Sequence, residues 1–449
     1  MDDLLSFLRI PSISANPAFS REVRRAAEFV RDWLDRAGLE NSHLIDSPDA
    51  GAHPIVYADW THAPGQPTLL LYGHYDVQPP DPINEWITPP FEPSIRDGNI
   101  YARGAADDKG QLFILMESVA QCLRENDGEL PVNVKFVIEG EEESGGAHLD
   151  RFVTENPQKL AADAAVICDT AMFAPGIPTI TTGLRGIVYG EILVQGAAHD
   201  LHSGDYGGVA PNALEAVAQI VSALKSRDGR ILIPGFYDRV EPPAPAESEA
   251  WKLLPFDAEQ FRKNEVGSLA LTGESAFDVL TRIWARPTLE VHGIRGGYTG
   301  EGAKTVIPAA AVAKISIRLV PGQIPEEVTA QIENALAAVC PQGVVARFEL
   351  LHSAPAFIMD PRNPFVEAAA IAMERTFGAP TAYVRCGGSI PIAGLLARTL
   401  SVPAVLIGFG LPDDQIHAPN EKLSVSNYVK GIASLIQYYE LLRHPKHVP

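Results

Sequence analysis

Cysteine is scarce in this chain of 449 residues: Cys122, Cys168, Cys340 and Cys386 are scattered, with no CxxC pair. That spacing supports neither a zinc knuckle nor a disulfide framework, and reduced thiols in a cytoplasmic protein are the expectation. Basic residues are also few. Lys and Arg total 36 against 56 Asp and Glu, a formal charge of -20. Nucleic acid and anionic membrane are therefore poor partners, because binding either depends on clustered cationic side chains. No uninterrupted apolar run approaches the ~20 residues of a membrane span. The start, Met1-Asp2-Asp3, has neither the basic n-region nor the apolar h-region of a secretory signal. A soluble, unsecreted protein is expected, and there is no tandem repeat. What is present is a 46% hydrophobic chain with room for two or three domains and a large core.

The first third alternates strand-like and helix-like patterns, as α/β domains do. Residues 68–72 (TLLLY), 132–138 (VNVKFVI) and 164–167 (AAVI) are short apolar or β-branched runs. Leu112, Phe113, Leu115, Met116, Val119 and Leu123 instead follow the i, i+3, i+4, i+7 spacing of a helix. His74, Glu142, Glu143 and Asp169 therefore fall just past the ends of strands, on the carboxyl edge where open α/β sheets bind ligands. From about Gly186 the pattern changes. A strand at 187–194, a helix opened by Pro211 and running to 225, a strand at 312–320, a helix at 325–339 and a strand at 344–351 form a β-α-β-α-β succession. That order suits a ferredoxin-like sandwich. Residues 241–249 (EPPAPAESE) read as an exposed loop. The first pattern then returns with a helix at 364–376, a strand at 403–407, a Gly-rich turn and His417. The expected fold class is α/β: one catalytic domain, 1–185 and 354–449, interrupted by a smaller inserted α+β domain, 186–353.

Three stretches concentrate metal-ligand chemistry: Gly73-His74-Tyr75-Asp76, Ala106-Asp107-Asp108-Lys109-Gly110 and Glu141-Glu142-Glu143-Ser144-Gly145. A neutral imidazole suits zinc, and a carboxylate can bridge two cations through its two oxygens. Each stretch taken alone has a plainer explanation. His-x-Asp can be a hydrogen-bonded pair, and Asp107-Asp108 a turn that caps a helix. The acidic run can be a solvated patch. Because the run follows a strand directly and ends in Ser144-Gly145-Gly146, its like charges would repel unless something cationic sat among them. Together the stretches point to a two-metal hydrolase. Asp169 and His417 are, each alone, ordinary loop residues.

GHYDV, RGAADDKG, EGEEESGG, CDT and HAPNE occur in the order and approximate spacing of a known family. The chain resembles the cocatalytic zinc metallopeptidases that include carboxypeptidase G, aminoacylase, succinyl-diaminopimelate desuccinylase and carnosinase. DLHSGDYGG, GAKTVIP, IRLVPG and GGSIP are most similar to the branch of cytosolic nonspecific dipeptidase and carnosinase. The resemblance covers nearly the whole chain. It implies a zinc-exopeptidase-like catalytic domain with an inserted ferredoxin-like lid and dimerisation domain, and two divalent metal ions, zinc by family with manganese or cobalt also suited. By the same resemblance His74 and Asp169 hold one ion, Glu143 and His417 the other, and Asp107 bridges both. Asp76 fixes the His74 tautomer, and Glu142 is the general base, with Glu141 the alternative if the register slips by one.

The resemblance also implies a clamp for a substrate's C-terminal carboxylate, formed by Arg318, Thr305 and Ser389; a planar guanidinium with hydroxyls suits that group. Without it, Arg318 reads as a surface arginine on an edge strand. His202 is implied to reach across a homodimer interface and donate to the developing oxyanion; alone it reads as an exposed loop histidine. His199 has no assigned role. The expected activity is metal-dependent hydrolysis of a small peptide substrate, a dipeptide with a free C-terminal carboxylate, by a water bridging the two metal ions. The alternatives are deacylation of N-acyl amino acids on the same scaffold and a non-catalytic metal-binding relative. Every ligand position and the base are intact, which counts against the last. Nucleotide binding is disfavoured because the Gly-rich turns carry carboxylates, which repel phosphate.

Overall fold

The structure, a computed structural model, describes residues 1–443. The chain divides into two units. One comprises Met1–Thr182, Met359–Val384 and the chain from Ile392 onward; the other comprises Gly183–Ile358 and Arg385–Pro391.

The first unit is built on a mixed sheet in the spatial order Glu40–Ile45, Ile55–Trp60, Asn133–Glu139, Thr68–His74, Ala164–Ile167, Ala404–Ile407 and Thr179–Leu184. Its four central strands, from Asn133–Glu139 to Ala404–Ile407, run parallel. Leu69, Leu70, Leu71 and Tyr72 are all buried, so this strand is covered on both faces. That is why TLLLY reads as a continuous apolar run with no alternation. The covering helices include Ser20–Ala37, Lys109–Glu125, Pro364–Phe377 and Val425–Arg443, whose apolar residues join the strands in one core. The helix starting at Lys109 packs tightly against the preceding loop. A Cβ on Gly110 would stand 1.9 Å from the Ala105 carbonyl oxygen, so only glycine fits there.

The second unit is a four-stranded antiparallel sheet in the order Thr288–Gly296, Ala310–Leu319, Gly186–Gln195, Val345–Ala354. Helices Ala213–Leu224 and Pro325–Val339 bury Val217, Ile220, Val328 and Ile332 against Val188, Ile192, Ala313 and Ile315. The strand Gly186–Gln195 alternates buried and part-exposed residues, the mark of a sheet with one covered face. The succession is β-α-β-β-α-β, the full ferredoxin-like order. The expected succession was one strand short. Thr288–Gly296 was missed because it is an edge strand with mostly exposed residues and two interior or terminal glycines, Gly293 and Gly296, leaving no apolar alternation.

Three further expectations are corrected. Residues 241–249 are not all loop: Pro245–Lys252 is a helix, and its Glu247 pairs with the buried Arg385 at 2.7 and 2.6 Å. Pro211 lies outside the helix it was expected to open. Asn212 is the cap, accepting the N–H groups of Leu214 and Glu215, and the helix is Ala213–Leu224. Arg318 is on an interior strand, not an edge. Among the described residues no helix is long and apolar enough to cross a membrane, and the four cysteines are free thiols.

Candidate metal centre

His74 ends the strand Thr68–His74, with its ring fully buried. Its Nδ1 lies 3.2 Å from the main-chain oxygen of Asp76 and 3.3 Å from Asp76 Oδ1. A carbonyl oxygen can only accept, so Nδ1 carries a hydrogen, which leaves Nε2 as the nitrogen free to coordinate an ion. That nitrogen faces Asp107 Oδ1 at 3.1 Å. The other oxygen of the same carboxylate, Asp107 Oδ2, meets His417 Nε2 at 2.8 Å, and this nitrogen is 3.3 Å from Glu143 Oε2. Asp107 thus stands between two imidazoles, one oxygen toward each.

Asp169 follows the strand Ala164–Ile167 and forms one candidate ligand group with His74 and Asp107; Asp107, Glu143 and His417 form a second. Within each group the ligand atoms lie within 4.8 Å of one another. Glu142 belongs to neither. Glu141 turns away, its Oε1 accepting the main-chain N–H of His53 at 2.7 Å. Close approach of backbone to side chain helps assemble the cluster. A Cβ on Gly73 would stand 2.8 Å from Asp108 Oδ2, which accepts the His74 N–H at 3.1 Å. The Asp107–Asp108 peptide is cis.

The charges are crowded. Burial, then Asp107 and Asp108, push the Asp169 carboxyl well above the ordinary carboxylate range. Burial also pushes Glu142 up to about 7, with Glu143 and Asp107 adding to it and His74 opposing. Burial alone would lower the proton affinity of His74, but the Asp107 and Asp76 carboxylates outweigh it and hold it well above the usual value. His417 is raised to about 10 by Asp107 and Glu143. Asp107 is held low by His417 and His74 even though burial works the other way. Six carboxylates and two imidazoles in this arrangement call for added positive charge. Glu143 Oε1 is moreover buried with no hydrogen-bond partner among the described residues, a condition that buried oxygens rarely keep. Imidazole nitrogens and carboxylate oxygens with these openings fit divalent transition metals.

Several contributors escaped sequence reading. Gln78 Nε2 donates to Glu143 Oε2 at 2.8 Å. Tyr72 donates its hydroxyl to the buried Glu139 at 2.6 Å. Glu421 binds the loop of Asp107. Its place in HAPNE, four residues past His417, was the one available signal.

In the second unit Arg318 Nη1 donates to Ser389 Oγ at 2.9 Å, and the Ser389 hydroxyl donates a hydrogen bond to the main-chain oxygen of Arg185 at 2.5 Å. Ser389 was expected in the first domain, but its segment groups with the second unit. Its hydroxyl proton is spent on Arg185, so it orients Arg318. Among the described residues neither Arg318 nor Arg185 makes an ion pair; Arg185 donates to the carbonyls of Gly387 and Arg286. Burial lowers the proton affinity of both guanidiniums, and Arg318 adds to the effect on Arg185, taking it to about 10. An uncompensated pair of guanidiniums attracts an anion. Thr305 and His202 lie elsewhere: His202 is in a ribbon of Leu201–His202 with Val306–Ile307, and Thr305 directly precedes its second strand. Both are exposed, and His202 Nδ1 accepts the N–H of Gly204 at 3.0 Å.

The sequence pattern of peptidase family M20/M25/M40 matches residues 70–441. The chain is 32% identical to the Cys-Gly metallodipeptidase DUG1 of Saccharomyces cerevisiae, over 97% of this chain and 94% of that protein. It is 32% identical to the human Beta-Ala-His dipeptidase, over 94% of this chain and 85% of the relative. Among solved structures, the M20 family metallo-carboxypeptidase Sso-CP2 from Sulfolobus solfataricus superposes with a TM-score of 0.86 at 32% identity, covering 98% of each chain.

Proposed function

This chain belongs to peptidase family M20/M25/M40, and on that premise we propose that it hydrolyses dipeptides with a free C-terminal carboxylate at a centre of two divalent metal ions. The observation that carries the reading is the two-sided position of Asp107, with His74 Nε2 at 3.1 Å from one oxygen and His417 Nε2 at 2.8 Å from the other. His74 and Asp169 would hold one ion, Glu143 and His417 the other, and Asp107 both. When bound, such ions acidify water and polarise the scissile carbonyl. Zinc suits the donors, with manganese or cobalt as substitutes.

The chain's own residues carry the proton and the orientation. Glu142, beside a ligand and outside both ligand groups, takes a proton from the attacking water and returns it to the leaving amine. Asp76 keeps the His74 ring in the tautomer that presents Nε2. Arg318, set by Ser389, receives the substrate carboxylate. The absence of an ion pair on Arg318 and Arg185 among the described residues supports this assignment. His202 is proposed to donate to the oxyanion from the partner subunit of a homodimer. We assign the enzyme to the cytoplasm, in keeping with its free thiols.

Relatives named for Cys-Gly and Beta-Ala-His substrates support dipeptides over N-acyl amino acids. The test is to strip the protein of metal and assay it against dipeptides and N-acyl amino acids, returning zinc and manganese separately. Metal-restored cleavage of dipeptides is expected. Activity on N-acyl amino acids alone, or turnover indifferent to metal, would overturn the reading.

A further inference from the structure

The carboxylate of Glu421 is fully buried and receives four donors. Oε2 accepts from Arg103 Nη1 and from the Gly104 N–H, each at 2.8 Å. Oε1 accepts from the N–H groups of Ala106 at 2.9 Å and Asp107 at 3.0 Å. The Glu421 main-chain oxygen takes a fifth bond, from Ala102 N–H at 3.1 Å. The loop 102–107 is therefore wound around one residue that lies 315 positions from Ala106 in sequence and four past His417.

We infer that Glu421 is a positioning residue for metal binding: it fixes the peptide of Asp107 so that the Asp107 carboxylate divides its oxygens between His74 and His417. Two features favour this over a plain buried ion pair with Arg103. Only one of the four donors is charged, and the two on Oε1 belong to the Asp107 segment itself. The segment on the other side is also held away from its relaxed backbone. Gln415 and His417 adopt φ of 54° and 62°, left-handed values uncommon for residues other than glycine and asparagine. Such conformations persist where neighbouring contacts impose them. Glu421 joins the two segments and locks their spacing.

The chemistry of the side chain makes the inference testable. In Glu421→Gln the remaining carbonyl oxygen would stay with the charged Arg103, and the new NH₂ would confront two N–H donors at Ala106 and Asp107. The lesion falls on the Asp107 peptide. Outer partners of metal ligands typically contribute about 10- to 100-fold in affinity. Zinc titration of metal-stripped protein against a competing chelator should therefore show E421Q weakened by about that factor, with kcat reduced and KM for a dipeptide little changed. Leu435→Ala, a fully buried core truncation, serves as the stability control: it should lower Tm and leave zinc affinity alone. Should E421Q not fold, E421D decides, since it keeps the negative charge but, one methylene shorter, cannot hold all four donors. Wild-type zinc affinity in a folded variant, even one with lowered Tm, overturns the role of Glu421. The inference rests on the two-metal reading, which fails separately, if the wild type itself takes up no zinc.

Discussion

Asp76 Oδ2 accepts the main-chain N–H of Glu143 at 3.1 Å. The same carboxylate lies against the His74 ring and takes the hydroxyl of Ser14 at 2.6 Å. One buried side chain thereby ties a strand end to the turn that carries Glu142 and Glu143. Geometry at the proposed base and at a proposed ligand is set together, as preorganised sites require.

Glu142→Gln should keep the fold and both metals and lose about 10²- to 10⁴-fold in kcat, the usual contribution of a general base. Glu143→Gln should lose metal. The pair is read by metal content beside steady-state kinetics. The reverse pattern, metal lost from Glu142→Gln and kept by Glu143→Gln, would show that the two roles are exchanged.

Asp107→Asn and Asp169→Asn separate shared from single ligation. After dialysis, elemental analysis should find both ions depleted in Asp107→Asn but only one in Asp169→Asn. Equal depletion in both variants would remove the bridging role from Asp107.

Arg318→Ala should weaken substrates with a free carboxylate by about 2–5 kcal/mol, the typical cost of breaking a charge-assisted contact of this kind, and affect C-terminally amidated analogues much less. Ser389→Ala, which frees Arg318 without removing its charge, should act in the same direction and more weakly. An equal loss on both substrate types would take Arg318 out of carboxylate recognition.

His202→Ala and Glu142→Ala should each be nearly inactive alone and recover activity when mixed under conditions of subunit exchange. One site of the mixed dimer then combines an intact Glu142 from one chain with an intact His202 from the other. No recovery despite demonstrated exchange, or a monomer in solution, would sink the cross-subunit role.

Elements with strong local signals were legible in the sequence. The strand Ala164–Ile167 and the helix Pro325–Val339 have the expected bounds, one a continuous apolar run, the other opened by proline at its first position. What escaped depends on distant partners. The strand Thr288–Gly296 has its sheet neighbour in Ala310–Leu319 but mostly exposed side chains, so no hydrophobic period betrays it. The helix Pro245–Lys252 is hidden in a Pro- and Glu-rich stretch and is tied to Arg385, 138 positions from Glu247. Around the metal centre, residue types at strand ends identified candidate ligands. Ser389's spent hydroxyl proton and Glu421's four donors are facts of three-dimensional placement with no periodic trace.

The strand Ala404–Ile407 lies between Ala164–Ile167, which it pairs in parallel, and Thr179–Leu184, which it pairs antiparallel. During translation both neighbours leave the ribosome more than 200 residues before the strand that separates them, an interval of roughly 10 to 40 seconds at ordinary elongation rates. Throughout that interval each neighbour lacks the partner that covers one of its edges, and unpaired strand edges invite wrong pairing. A chain ending between residues 184 and 404 would thus keep both neighbours and lack the strand that joins them, leaving unpaired edges of the kind that favour aggregation.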